Sequence, residues 1–456
     1  MTFRENLVNA RSHIIFIFAL FFGLMLVIFL DRNIEQMEQA KVIGKPSDPD
    51  LAFASSGAIA LFNDVEPLTL PAPEALAEPR IGYAKTAWTY FANNTNPETG
   101  LVNSADNYPS TTMWETGSYI IATVSADLLG VISTDEAQGR MNKLLGTLKA
   151  QRLFDDLLPN KAYNAKTNEL VDYSNKPTER GLGWSALDIA RIVGALNLIE
   201  KHYPDLAPKT QMVFNHWHLD EMVQEGLLVG GNIRDGELKY DQEGRVGYEQ
   251  YAAKAMMLNG YDMFGAYDVS KNLMVKNVED QPIPVDNRLH RNITPAFTVS
   301  EPYLFDGLEF GFDNRSLHFA TAIYKAQEAR YREEDILTAV SETHLDVEPY
   351  FAYSSVWGGG EPWAVMSFKG DRMDSKRTIA TKVAFAWDAI FRTEYTAELV
   401  KAVAPLGDAK KGFPEGIYEI DGSTNKSITA NTNAVILAAI AYRSFGSLHH
   451  AERTDK

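Results

Sequence analysis

The stretch Thr178–Tyr203, TERGLGWSALDIARIVGALNLIEKHY, decides the fold. A polar lead-in (Thr178, Glu179, Arg180, Gly181) runs into a helix of about six turns. Leu187, Ile189, Ala190, Ile192, Val193, Ala195, Leu196 and Ile199 cover most of its circumference. An apolar surface that wide belongs to a helix buried on nearly all sides. Tyr203-Pro204 stops it, because proline lacks the N–H and restrains the residue before it. The N-terminal mouth carries Glu179 and Trp184, and the free backbone N–H groups of the first turn point into the space above. The stretch therefore predicts the floor of a pocket.

The same design recurs along the chain. Helices are expected at roughly 81–93, 113–130, 134–151, 183–202, 206–225, 247–260, 262–270, 313–328, 332–345, 376–391, 394–404 and 428–444. Connections alternate in length. Those after 130, 202, 260, 328 and 391 are short. Those before 113, 183, 247, 313, 376 and 428 are long and rich in Gly, Pro, Asp and aromatics, the kind of loop that carries function. Pairing each outer helix with the inner one that follows gives six antiparallel hairpins. Closed into a ring they form an all-α (α/α)6 toroid over 81–446, with all six long loops on one face. The expected inner helices are also the more apolar: GSYIIATVSADLLG, TIATKVAFAWDAIF and NTNAVILAAIAYRS contrast with the polar DEAQGRMNKLLGTLKAQ. The competing arrangement is an open helical array, or two α-domains split near 270–310.

Composition narrows the function. The 456 residues are 45% hydrophobic and 11% aromatic, which suits a packed globular protein. A net charge of −17 with no long basic run argues against nucleic acid and polyanionic partners. There is no cysteine, so disulfides, thiol nucleophiles and thiolate metal sites are excluded. Ile14–Leu30, IIFIFALFFGLMLVIFL, is 17 residues without a charge. As a helix it spans about 26 Å, near the lower limit for crossing a bilayer. No small-residue cleavage site follows at once; Asp31-Arg32-Asn33 does, so an uncleaved transmembrane anchor is expected over a cleaved signal. The expected layout is a cytoplasmic tail at 1–13, the anchor at 14–30, a proline-broken linker at 31–80, an extracytoplasmic ring and a polar tail at 447–456.

In such a ring the long loops and the first turns of the inner helices converge. They bring Asp106, Trp114 and Glu115, then Glu179 and Trp184, then Tyr248 and Glu249, then Trp357, Glu361 and Trp363. Asp155, Asp156, Asp306, Glu309, Asp313, Glu415 and Asp421 fall in the same loops. Carboxylates among flat aromatics suit a neutral sugar polymer, where two carboxyl groups do acid and base work at a glycosidic bond. Each has a plainer account. Glu115 has the spacing of a capping box with Thr112. Glu179 has Arg180 beside it for a loop ion pair. Glu249 lies in a first turn, where any carboxylate favours the helix dipole. Glu361 follows three glycines in GGGEPW, a costly sequence for an idle loop. Asp188 and Asp388, inside helices, read as buried hydrogen-bonding groups. The histidines, including His216 and His218, show no metal spacing, GGGEPW lacks the Lys-Ser/Thr of a phosphate loop, and no metal or cofactor is expected.

The strings NPETGLVNSADNYPSTTMWETGSYIIATVSADLLGVIS, TERGLGWSALDIARIVGAL, GYEQYAAKAM and ANTNAVILAAIAYRS resemble a bacterial glycoamylase-like (α/α)6 family, itself distantly similar to endo-β-1,2-glucanases. The resemblance covers roughly residues 80–446. It implies a toroid with a glycoside hydrolase-like cleft, on exported or membrane-anchored chains. In the glucanases, carboxylates at the starts of the first inner helices and in the loops act as acid and base, and by position Glu115 and Glu179 look most similar to them. The resulting expectation is a hydrolase of a neutral glucan with Glu179 as acid and Glu115 or Glu249 as base. Trp114, Trp184, Tyr248, Trp357 and Trp363 would line subsites, with Asp106 and Glu361 binding sugar. A polysaccharide lyase on the same ring, or a non-catalytic glycan-binding or assembly component, are the alternatives.

Overall fold

A computed structural model describes residues 60–62, 65–290 and 294–452. The tail at 1–13, the expected anchor at 14–30 and most of the linker lie outside the described residues. No described helix is long and apolar enough to cross a membrane.

Twelve α-helices occur among the described residues: α1 Arg80–Asn94, α2 Met113–Leu128, α3 Thr134–Ala150, α4 Ala186–His202, α5 Ala207–Phe214, α6 Tyr248–Met257, α7 Phe264–Tyr267, α8 Glu301–Phe305, α9 Asn314–Glu334, α10 Thr381–Ile390, α11 Glu394–Val403 and α12 Ala430–Phe445. The even-numbered helices α2, α4, α6, α8, α10 and α12 pack each against the next, and α12 packs back on α2. The odd-numbered helices lie outside them: α1 on α12, α3 on α2, α5 on α4, α7 on α6, α9 on α8 and α11 on α10. This closed succession is consistent with an (α/α)n toroid and rules out the open array.

The inner helices are buried almost all round for the reason read from the sequence. In α4, Ala186, Ile189, Ala190, Ile192, Val193, Gly194, Ala195, Leu196, Leu198 and Ile199 are all buried. Small residues allow the close approach. A Cβ on Gly117 of α2 would stand only 3.1 Å from the Cα of Ile192 in α4.

Two expected helices were misplaced. The segment 313–328 is not inner. It belongs to α9, an outer helix capped by Asp313 and continuous to Glu334, where Asp335 turns left-handed at φ 57°. The expected helix at 332–345 ends there, and Glu342–His344 is a strand instead. The fourth inner helix is α8, which continues into a π-helical turn over Asp306–Phe310. Its sequence, EPYLFDGLEF, sets three carboxylates among apolar residues and falls inside an expected long loop. It is buried because Glu301, Asp306 and Glu309 meet Lys382, Lys254 and Arg191 from neighbouring inner helices.

The expected polar tail also packs down. Leu448 and Ala451 are buried, and the His449 ring stacks on Phe310 at 4.8 Å. Burial pushes His449 down to about 3, so it stays neutral. Part of the linker is likewise tied to the ring. Lys325 donates to the Glu66 carbonyl, Arg392 to that of Ala72, and Glu74 pairs with Arg80, Arg392 and Arg443.

The long loops carry short hairpins that the all-α reading lacked. Strand β1, Gly183–Trp184, pairs with β2, Leu227–Arg234, which pairs with β3, Glu237–Gln242. Strand β4, Glu342–His344, pairs with β5, Phe351–Ser354. Gly183 has φ 103°, and a Cβ there would run into the Gly231 carbonyl. Gly183→Ala is therefore expected to cost more than about 2 kcal/mol, read as a lower midpoint in urea, because the crossing of β1 and β2 sets the entry to α4.

Candidate active site

The first turns of the inner helices meet at one mouth. In α2, Thr112 is the N-cap and receives the Trp114 N–H at 3.1 Å, while its hydroxyl donates to Glu115. Thr112 is the N-cap as foreseen, but Glu115 meets its hydroxyl and not its backbone N–H, so the expected capping box is not formed and Glu115 sits at the mouth. Glu115 is buried and Trp114 half-buried, its indole edge-on to Tyr248 at 5.8 Å.

In α4, Ser185 caps the helix and donates to Asp188 at 2.9 Å. The helix N-terminus is not open: Glu243 accepts from the N–H groups of Ala186 at 2.7 Å and Leu187 at 3.2 Å. Burial first, then the negative charges of Glu115 and Glu243, push Asp188 up to about 7.

Strand β4 brings Glu342 to the same mouth. Burial, then the charge of Glu301, push it up to about 8. The Tyr248 hydroxyl faces it, buried and without a well-aligned partner. Below lies Glu301, which takes Lys382, Asn431 at 2.7 Å and Ser341 at 3.3 Å. Glu415 accepts from Thr429 at 2.5 Å and Thr432 at 2.8 Å through one oxygen, and its other oxygen is buried with no partner among the described residues. Among the described residues no three acidic or histidine side chains are grouped to hold a metal ion.

One polar thread joins all six inner helices beneath the mouth. Arg191 of α4 is 1% exposed. It donates to Ser118 of α2 at 3.3 Å, to Tyr251 of α6 at 2.8 Å and to Glu309 at 3.1 Å. Ser118 donates to Asn431 of α12 at 3.3 Å, and Asn431 to Glu301 of α8, which holds Lys382 of α10. The guanidinium also lies over Phe305 at 3.9 Å and Trp114 at 4.7 Å. Packing and charge satisfaction are therefore the same residues here.

The remaining sequence candidates disperse. Glu179 is exposed on the loop ahead of β1, where its neighbour Arg180 pairs with Asp155 at 2.6 Å. Glu249 is buried with both oxygens taken, by Arg288 at 2.5 Å and Gln242 at 2.9 Å. Trp184 is 0% exposed and its indole N–H binds the Val229 carbonyl at 3.0 Å, so it offers no face to a sugar; it is a packing residue. Asp106 is half-buried and accepts from Asn94 at 3.2 Å. Trp357 is half-buried with Lys276 over its ring at 5.3 Å. Trp363 donates to Glu279 at 2.9 Å, and exposed Glu361 pairs with Arg372.

Asp188, Glu342, Glu301 and Lys382 were not among the favoured candidates. Glu342 was hidden inside the expected helix 332–345. In the structure 342–344 and 351–354 alternate half-buried and buried residues as strands do, but ETH and FAYS show no apolar–polar alternation from which the sequence could have marked Glu342.

A cavity of about 650 Å³ lies away from this mouth, against Phe385 and Asp388 of α10, Ile440 of α12, Tyr83 of α1 and Val400 of α11. It holds none of the converging carboxylates, so the chemistry is assigned to the mouth, where titratable groups meet.

Solved structures with this arrangement include three glucanases. An endo-β-1,2-glucanase from Chitinophaga pinensis, in complex with sophorotriose and glucose, aligns with TM-score 0.59 at 12% identity, over 82% of this chain and 94% of that one. A β-1,2-glucanase from Parabacteroides distasonis aligns with TM-score 0.56 at 11% identity, over 81% and 57%. An endo-β-1,2-glucanase from Talaromyces funiculosus, in complex with sophorose, aligns with TM-score 0.54 at 12% identity, over 81% and 84%. At these identities the likeness is one of fold. No curated protein matches the sequence. A family model described as "Protein of unknown function (DUF3131)" matches residues 82–446, and the chain belongs to that family.

Proposed function

We propose that this chain is a glycoside hydrolase of a neutral glucan, built on an (α/α)6 toroid and held outside the cytoplasm by the segment 14–30. One observation carries the reading. Carboxyl groups from the first turns of two inner helices (Glu115 and Asp188) and from strand β4 (Glu342) meet at one mouth, where burial pushes Asp188 up to about 7 and Glu342 up to about 8. Hydrolysis of a glycosidic bond needs a carboxyl that still holds its proton and a carboxylate that has lost one. Glu342 is the proton donor to the leaving oxygen. Asp188, with Glu115 beside it, is the base that takes a proton from water. Trp114 and Tyr248 form the wall between them. β-1,2-Linked glucan is the first substrate to try, because two of the fold neighbours are held with β-1,2-linked sugars.

The pH dependence follows from the two groups. Glu342 must be protonated, so turnover falls above about pH 8. Asp188 must be ionised, so turnover falls below about pH 7. The kcat/KM profile is expected to be a narrow bell centred between them. A plateau extending beyond pH 10 would remove Glu342 as the donor.

The reading itself is tested by digesting a panel with the purified full-length protein: linear and cyclic β-1,2-glucan, other β-glucans, α-glucans and uronate polymers. Defined oligosaccharides from one neutral glucan are expected. Unsaturated uronate products would establish a lyase instead. Absence of any product overturns the hydrolase reading and leaves glycan binding or assembly.

A further inference from the structure

The β4–β5 hairpin starts at the mouth, its second strand also pairing with Val365–Met366, and its two faces differ. Thr343, Ala352 and Ser354 point inward and are buried. Successive strand residues alternate sides, so Glu342, His344, Phe351 and Tyr353 share the other face. The register confirms it: Glu342 lies opposite Tyr353, and His344 opposite Phe351. This face is half-buried.

Its aromatics form a continuous run. Tyr353 stacks on Phe297 at 4.4 Å, with 16° between the planes. Phe351 stands edge-on to Tyr353 at 5.1 Å, and His344 edge-on to Phe351 at 5.3 Å. Phe297 is fixed by its neighbour Thr298, which exchanges backbone hydrogen bonds with Val356 at 2.8 Å and Trp357 at 2.7 Å. The run begins beside Glu342 and heads for the hairpin tip, where Tyr350 is 59% exposed. The hairpin, ETHLDVEPYFAYS over 342–354, contains no Lys or Arg and adds Asp346 and Glu348 near its tip.

We propose that this face is a sugar-binding track, and that it holds a neutral glycan chain running outward from Glu342, so that the chain is cut at an internal bond. The inference rests on the hydrolase reading of the mouth and adds where the rest of the polymer lies. Same-face residues of a strand are about 7 Å apart. Tyr353, stacked on Phe297, and Phe351, edge-on to Tyr353 and to His344, therefore provide two successive aromatic contacts along the chain. Amphipathic rings offer broad contact at little entropic cost, which suits a ligand with apolar C–H faces and polar edges. The acidic tip repels a uronate polymer and tolerates a neutral one.

The test compares full-length wild type with Phe351→Ala, Tyr353→Ala and Phe351→Trp. Each is assayed on every glucan of the panel as polymer and as the shortest oligosaccharide cleaved, and run by affinity electrophoresis in gels containing the polymer. Phe351→Ala is expected to raise KM for the polymer about tenfold or more with kcat within about twofold, the signature of lost binding that does not change on reaching the transition state. Activity on the shortest oligosaccharide falls by less than activity on the polymer, and retardation in the gel is lost. Phe351→Trp, which keeps a flat ring, restores both and excludes misfolding as the cause. If wild type cleaves a polymer and both alanine variants match it in KM and retardation, the track is wrong and the hydrolase reading stands. If wild type is retarded but cleaves nothing, and the variants lose retardation, the track stands and hydrolysis does not. A wild type that neither binds nor cleaves any polymer overturns both.

Discussion

Replacing Glu342 with glutamine is expected to lower kcat on a cleavable glucan by about a thousandfold and, in the same protein, to raise the melting temperature at pH 8. The two effects have one cause. Glu342 sits where burial and the charge of Glu301 disfavour its ionised form. Its proton is therefore held more tightly in the folded chain than in the unfolded one. Stability from such a group is fully present below the unfolded carboxylate value and is lost as pH rises through the folded value, here about 8. Above that pH the folded protein carries a desolvated charge that glutamine never acquires. The gain at pH 8 is expected to be about 1–3 kcal/mol, and it shrinks toward zero at pH 5, where both side chains are neutral. Asp188→Asn should behave likewise, with its transition near pH 7. Urea melts at pH 5 and pH 8 beside the turnover numbers decide the matter. A Glu342→Gln protein that is less active and also less stable at pH 8 would make Glu342 a structural residue; full activity would remove it from the mechanism.

The second large effect concerns Arg191. Its guanidinium is surrounded by Ser118, Tyr251 and Glu309 and is closed off from solvent. Arg191→Met leaves Glu309 as a buried charge without its counter-ion, and the expected loss is about 3–5 kcal/mol. The distinguishing variant is the double substitution Arg191→Met with Glu309→Leu. Removing both charges is expected to restore most of that loss, because the desolvation of the pair disappears with the pair. Denaturation of the two variants side by side checks this. Equal losses in both would mean that packing of Arg191 over Phe305 and Trp114, not charge, holds the helices.

The ring was legible in the sequence wherever burial is apolar. The wide apolar surface of 186–199 and the alternation of short and long connections placed α2, α4, α10 and α12 close to where they are. Legibility failed where burial is ionic. Helix α8 and its π-helical turn carry Glu301, Asp306 and Glu309, and only the fold brings Lys382, Lys254 and Arg191 to them. Hydrophobic periodicity records nothing about a partner 50 or more residues away. The same limit governed the site. Glu115 was placed at the mouth from sequence because it is local to a helix start. Glu342 was missed because its position depends on a strand pairing that ends a helix earlier than its composition suggests, and Trp184 was read as a sugar platform because an indole at a pocket mouth and an indole filling a core look alike in sequence.

The packing of α12 on α2 has a consequence for how the protein is made. These helices close the circle from opposite ends of the described chain, and Asn431 of α12 carries the hydrogen bond between Ser118 and Glu301. During synthesis the circle stays open until residue 445 has left the ribosome. Until then the edges of α2 and α10 that α12 will cover face water. Contacts between segments so distant in sequence form slowly, and exposed apolar surface in the interval favours aggregation. Yield of folded protein is therefore governed by how quickly α12 arrives, and slowing translation of the codons for Ala430–Phe445 should lower that yield without altering the finished molecule.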